Sequence, residues 1–407
     1  MNYYDQLCKM YPDKKDILWY MQYAFHHHLY AYGSHSNISW ETRSGSLLIK
    51  CIYWRLKTTL LRSNHKNICY NKVQDKKCVV SSTDTYVNKS LEREGFCVID
   101  LYRSISFKSF VFLNSLMDSH FNVYFTSSFE KKVIRVRQEL KDYFSKRNVV
   151  FLLLANDVVP LSRLAIGVCK EMNIPTGVFL HGLPASYDLI DNFYVDYTFV
   201  WGESIKENYK SIGCKKNIIV TGNPKYSGVK ELSGSHDNVV VVSFCAGDVY
   251  DGSDNYLADR GLCVQYVYSV QSVLLRIGVR HAILRVHPHE NRDWYRKFVD
   301  TDFYILDENS LEETLSLASY IIGPVSSVLV DAVSHRIPYY PYIITQDVNP
   351  HSWKQYPPFR EKDGLPVARS VEQLTTNLKE KKHVMLESIL SYISEKYDVE
   401  KIIRTFI

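Results

Sequence analysis

Val149-Val150-Phe151-Leu152-Leu153-Leu154 is a six-residue run without a polar side chain, and Gly177-Val178-Phe179-Leu180 repeats the pattern a short polar stretch later. Runs of this length, rich in β-branched and aromatic residues, read as strands buried on both faces. Outward from them lie more of the same kind: Cys78-Val79-Val80, Phe96-Cys97-Val98-Ile99, Thr198-Phe199-Val200 and Ile218-Ile219-Val220. Each is separated from the next by a polar stretch of helical character, and strands alternating with helices define a doubly wound parallel sheet. A polar interruption comes next at 225–237, with two glycines and three serines. The alternation then restarts at Val239–Phe244, Ala282–Val286, Phe303–Leu306, Tyr320–Ile322 and Tyr339–Ile344. The expected organisation is therefore α/β with two Rossmann-like units: 1–224, including a helical N-terminal region, 238–375, and C-terminal helices over 376–407 that return toward the first unit.

Length and composition agree. The chain has 407 residues, 46% hydrophobic and 23% charged, which suits two folded domains and excludes disordered or fibrous classes. No apolar run approaches the roughly 18 residues needed to span a membrane. The first residues carry no basic segment followed by an apolar one, so the expected location is cytoplasmic. Ser46–Leu61 reads as a helix bearing Lys50, Arg55 and Lys57, which suits a solvated face or a peripheral contact with anionic lipid on the inner membrane face. A net charge of +5 does not mark a nucleic-acid binder. Nine cysteines without a CxxC pair indicate reduced structural thiols, and no metal site is expected.

In open parallel sheets, ligands bind beyond the carboxyl ends of the strands. Four such ends stand out. The first, Val178-Phe-Leu-His181-Gly182-Leu-Pro184, places a histidine at a strand tip, where it serves as a base or as a hydrogen-bonded structural residue. At Thr221-Gly222-Asn223-Pro224 a glycine admits close approach of a ligand or of another backbone. Arg285-Val-His287-Pro288-His289-Glu290 stops a strand at a proline and leaves two imidazoles and an acid at the edge. In the last, Gly323-Pro324-Val325-Ser326-Ser327, a strand turns into a helix whose serines suit an N-cap or, with the free amides, an anion site. Phe244 ends the first strand of the second unit. No Walker loop and no GxGxxG motif occurs, which removes kinase, P-loop and dinucleotide readings. The acidic loop Asp248–Asp254 does not fit an EF-hand.

Taken in order, His181-Gly-x-Pro, Asp196-Tyr-x-x-x-Trp201-Gly202, Thr221-Gly-Asn-Pro224, His287-Pro288-His289 and Ser326-Ser327 before a helix resemble bacterial GT-B glycosyltransferase-like enzymes. The likeness covers about residues 150–345 and is strongest toward enzymes with cytidine-activated donors. These are the CMP-sialic acid and CMP-Kdo transferases of capsule or lipopolysaccharide, and the CDP-glycerol glycerophosphotransferases. The resemblance implies a GT-B fold, no cofactor beyond a nucleotide-sugar donor, and a glycan or lipid-linked glycan acceptor. It makes His287, Ser326 and Ser327 donor-phosphate ligands and His181 the base, with Asp188 and Asp191 as the nearest acidic alternatives. Gly182, Gly222, Asn223, Pro224, Phe244, Pro288, His289, Glu290 and Gly323 would line the cleft. UDP-sugar chemistry of the 2-epimerase type and a non-catalytic nucleotide-sugar-binding subunit of an export complex are the remaining readings.

Overall fold

The computed structural model describes residues 3–26, 52, 76–118, 121–184, 194–211, 213–228, 232–243, 260–287, 290, 292–344, 355–356, 359–360 and 364–407. The helix expected at Ser46–Leu61 and the loop Asp248–Asp254 fall outside them.

The first unit is a six-stranded, all-parallel sheet. Its strands are β1 (Cys78–Ser81), β2 (Cys97–Asp100), β3 (Val149–Leu154), β4 (Thr176–Phe179), β5 (Tyr197–Val200) and β6 (Asn217–Val220), in spatial order β2-β1-β3-β4-β5-β6. The inner strands β1, β3 and β4 are buried nearly throughout, as an apolar run with no alternation requires. The edge strands differ from the sequence reading: in β2 only Cys97 is buried and in β6 only Ile218, because an edge lacks one neighbour. Alternate residues feed two cores. Cys78, Val80, Leu152 and Leu154 pack with helices Ser127–Ser145 and Pro160–Glu171 and with the N-terminal helices, through Leu18 and Met21. Val79, Phe151, Leu153 and Phe199 face the other way.

The second unit holds β7 (Asn238–Val242), β8 (Ala282–Arg285), β9 (Tyr304–Leu306), β10 (Ala318–Gly323) and β11 (Tyr339–Pro341), ordered β11-β10-β7-β8-β9 and again all parallel. The chain runs outward from β7 to β9 and then crosses to β10, so the strand order reverses between β7 and β10. That reversal opens a crevice at the carboxyl edge.

Each unit has an apolar core of its own, and a third cluster joins them. It runs from Val79 and Phe199 through Trp201, Tyr226 and Tyr392 to Val240, Ile321 and Val330. The segment read as a polar linker is docked at both ends. Tyr226 is buried against the Trp201 ring, 5.4 Å between centroids, Lys225 forms an ion pair with Asp331, and His236 Nδ1 lies 3.2 Å from the Ala318 carbonyl. A polar sequence without period conceals this, since the contacts are made by single side chains.

The C-terminal segment crosses back onto the first unit. The Ser394 amide donates to the Trp201 carbonyl and the Asp398 amide to the Thr221 carbonyl, each at 2.8 Å, and the Phe406 ring stacks on Phe151 at 4.6 Å. Gly222 is where the returning chain passes: its φ is 74°, and a Cβ there would strike the Lys396 carbonyl. Two parallel α/β units with a C-terminal segment returning to the first constitute the GT-B architecture expected from the sequence.

Candidate functional site

Tyr226 lies between the helix that follows β1 and the helix that follows β10. Its hydroxyl is held well above its ordinary pKa by burial and then by Asp331, with Asp84 adding to the effect. Asp84 caps the helix after β1, and Asp331 lies on the helix after β10.

On the first edge, β4 delivers His181. The strand end is pinned by Trp201, whose indole N–H donates to the Leu180 carbonyl at 2.8 Å. Asp196 fixes the start of the same strand by accepting from the Thr176 amide and hydroxyl at 2.9 and 2.8 Å. The tryptophan and aspartate of the sequence motif thus work as a frame for the histidine. His181 is exposed, and its Nδ1 lies 3.0 Å from the Ala155 carbonyl at the end of β3. A carbonyl only accepts, so Nδ1 is the donor in this contact. Among the described residues Nε2 has no partner. Gly182 beside it has open space where a side chain would stand. Asp188 and Asp191 lie outside the described residues.

Asp157, three residues past the end of β3, escapes the sequence reading. It is 4% exposed, and burial, partly offset by its hydrogen bond from the Tyr194 amide at 2.6 Å, lifts its carboxyl to about 6. The strand-end rule that selects His181 applies equally to Ala155-Asn156-Asp157, but from sequence this aspartate looks like an ordinary loop acid. Asp157 anchors Tyr194, the first described residue after 184.

On the second edge three strand ends converge. Ser243 comes directly after β7; its hydroxyl donates to Glu290 Oε2 and accepts from the His287 amide at 2.9 Å. Glu290 also accepts from the His287 amide at 3.3 Å and from the Tyr295 hydroxyl at 2.7 Å. The carboxylate is thereby spent on protein donors, and its work is to fix the turn that presents His287. Arg285 donates to Asp307 at 2.6 Å, to the Thr314 hydroxyl at 2.7 Å and to the Asn309 carbonyl at 3.2 Å. These groups enclose a cavity of about 300 Å³ lined by Arg285, His287, Glu290, Arg292 and Asp307. Arg292 makes no ion pair among the described residues, and the lining balances two guanidinium groups against two carboxylates. Arg285 and Arg292 are not legible as site residues from sequence, because only the fold turns them into the same space.

Ser326 and Ser327 stand at the head of the helix Ser327–Ser334. Ser326 occupies the cap position, yet its hydroxyl makes no capping bond and lies buried with no partner in hydrogen-bonding geometry. The adjacent Tyr339 hydroxyl donates instead to the Pro324 carbonyl at 2.6 Å. Ser327 is exposed. The Leu329 amide donates to the Ser326 carbonyl at 3.0 Å, which leaves the Ser327 and Val328 amides without an acceptor among the described residues, and the helix dipole adds partial positive charge. Gly323 plays a different part from the expected lining residue: a Cβ there would meet the Tyr339 ring and Val242, so its smallness serves sheet packing. Gly222 likewise is filled by the Lys396 backbone and offers no face to a ligand, while Asn223 is buried and accepts from the Lys225 amide at 2.9 Å. Phe244, Pro288 and His289 lie outside the described residues.

No family model matches the chain, and no curated protein does. Solved structures do. A UDP-GlcNAc 2-epimerase from Neisseria meningitidis bound to UDP-GlcNAc is 14% identical, with 81% of this chain and 98% of that one covered at a TM-score of 0.46. MurG from Acinetobacter baumannii is 9% identical over 81% and 99%, TM-score 0.46. The wall teichoic acid polymerase TagF is 12% identical over 90% and 98%, TM-score 0.43. At these identities the likeness concerns the two-domain fold and assigns no activity.

Proposed function

We propose that the protein is a glycosyltransferase of bacterial surface-polysaccharide assembly that moves a sugar from a CMP-linked donor, of the sialic acid or Kdo type, to a glycan hydroxyl. The observation that carries this reading is the pairing of a base on one sheet edge with an anion-binding edge on the other. His181, with Nδ1 engaged by Ala155, offers a free Nε2; the uncapped helix at Ser326-Ser327, with the His287 turn on the same edge, offers donors to a phosphate. Nε2 takes the acceptor hydroxyl proton as the oxygen bonds to the anomeric carbon. The bond from that carbon to the phosphate oxygen breaks, and its electron pair leaves with CMP, whose charge the helix amides stabilise. Metal and cofactor have no assigned role in this scheme.

A second reading, glycerophosphate transfer from CDP-glycerol, draws support from the base being a histidine with no acidic side chain bonded to it among the described residues. Melting curves with CMP, CDP, UDP and GDP test both readings, since a ligand at 100 times its Kd adds about 2.7 kcal/mol of stability. A rise with CMP and release of CMP on turnover are expected. No rise with either cytidine nucleotide would overturn the donor assignment.

A further inference from the structure

A second cavity lies away from the histidines, at the hinge. It measures about 430 Å³, within the usual range for small-molecule sites. Its walls come from three separate parts of the chain: Tyr86, Lys89 and Arg93 on the helix Thr85–Arg93, Pro224 and Ser227 from the hinge, and Tyr397 from the returning C-terminal segment.

Lys89 and Arg93 are four residues apart, so they share one helix face, where like charges repel. Neither makes an ion pair with a described residue, although Glu92 and Glu94 are on hand in the same turn. Arg93 complements the negative end of its helix; Lys89, a turn earlier, has no such reason to be there. The nearest carboxylate at the other end of the helix, Asp84, is taken up by the Val87 amide at 2.9 Å. The hydroxyls opposite are fixed: Ser90 donates to the Val87 carbonyl at 2.6 Å and shares a bond of 2.9 Å with Tyr397. Burial holds the Tyr397 phenol at about 12, so it remains neutral.

We propose that this hinge cavity is a second binding site, for a phosphate dianion, whose two charges match Lys89 and Arg93. The source is either free phosphate or a sugar phosphate whose ring lies against Tyr86. The inference does not rest on the donor reading. An occupant would touch the first unit, the start of the segment that joins the units, and the C-terminal return.

Calorimetric titration of the full chain with inorganic phosphate and with glucose 1-phosphate, at constant ionic strength, tests this. Saturable binding is expected, weakened at least tenfold in Lys89→Gln/Arg93→Gln and unchanged in His287→Ala. An unchanged melting temperature of the double variant shows that its fold is intact. Tighter binding of glucose 1-phosphate that is lost in Tyr86→Ala identifies the sugar phosphate as the occupant; equal binding of both ligands, indifferent to Tyr86→Ala, identifies free phosphate. Absence of saturable binding, undiminished binding in the double variant, or loss of binding in His287→Ala would each overturn the proposal.

Discussion

Replacing Asp157 by asparagine should stabilise the protein above pH 7 and have little effect near pH 4. The carboxyl titrates at about 6 in the folded chain against 3.8 as its ordinary value, chiefly because burial penalises the charge. A group raised on folding contributes its full stability below the unfolded value, and that contribution is lost as the pH rises through the folded one. About two units at 1.36 kcal/mol each give about 3 kcal/mol between pH 4 and pH 7. Asparagine keeps an oxygen for the Tyr194 amide and does not titrate, so the variant should escape this loss. Melting temperatures of wild type and Asp157→Asn, measured in parallel from pH 4 to 8, isolate the group, because every other titration is common to both. A gap opening in favour of the variant across pH 4–7 is expected. A gap independent of pH, or one favouring wild type at pH 8, would refute the argument that burial governs this carboxyl.

His181→Ala should lower kcat by roughly 10²–10⁴ with little change in donor affinity, checked by steady-state rates beside nucleotide titration. Ser326→Ala should cost less than the ~1 kcal/mol usual for a lost cap, because its hydroxyl caps nothing; a normal capping penalty in a melting curve would contradict the geometry. His287→Ala and Ser327→Ala should each weaken nucleotide binding by about 1–3 kcal/mol, read by calorimetry. Asp307→Asn leaves Arg285 without its charge partner in a mostly buried position and should destabilise by about 3 kcal/mol, whereas Asp293→Asn, at the exposed pair with Arg296, should change stability by less than about 1 kcal/mol, both read from denaturant unfolding.

The strands were legible because their signal is local. An apolar run such as Val149–Leu154 needs no partner to declare that both its faces are covered, and all eleven strands of the two sheets begin within two residues of where the apolar runs place them. The strand-end rule then singled out His181, His287 and the Ser326-Ser327 turn, since the residues just past parallel strands lie at one edge whatever the helices do. Roles were less legible than positions. Glycines 222 and 323 show why: a sequence reports that a side chain is missing, and only the fold reports whether a ligand, a carbonyl or a tyrosine ring fills the space.

By itself the sequence determined the alternation, the two α/β units and the residues at the strand ends. Tertiary structure alone decided that Glu290 would be consumed in holding His287, that Asp157 would be buried far enough to titrate near 6, and that the returning chain at Lys396–Asp398 would close over Thr221-Gly222. The difference is one of range. Periodicity and strand ends are set by neighbours a few residues apart. Burial, desolvation and the docking of Tyr226 and Tyr397 arise instead from segments as distant as Ser90 and Tyr397, 307 residues apart in the chain, whose meeting no local pattern encodes.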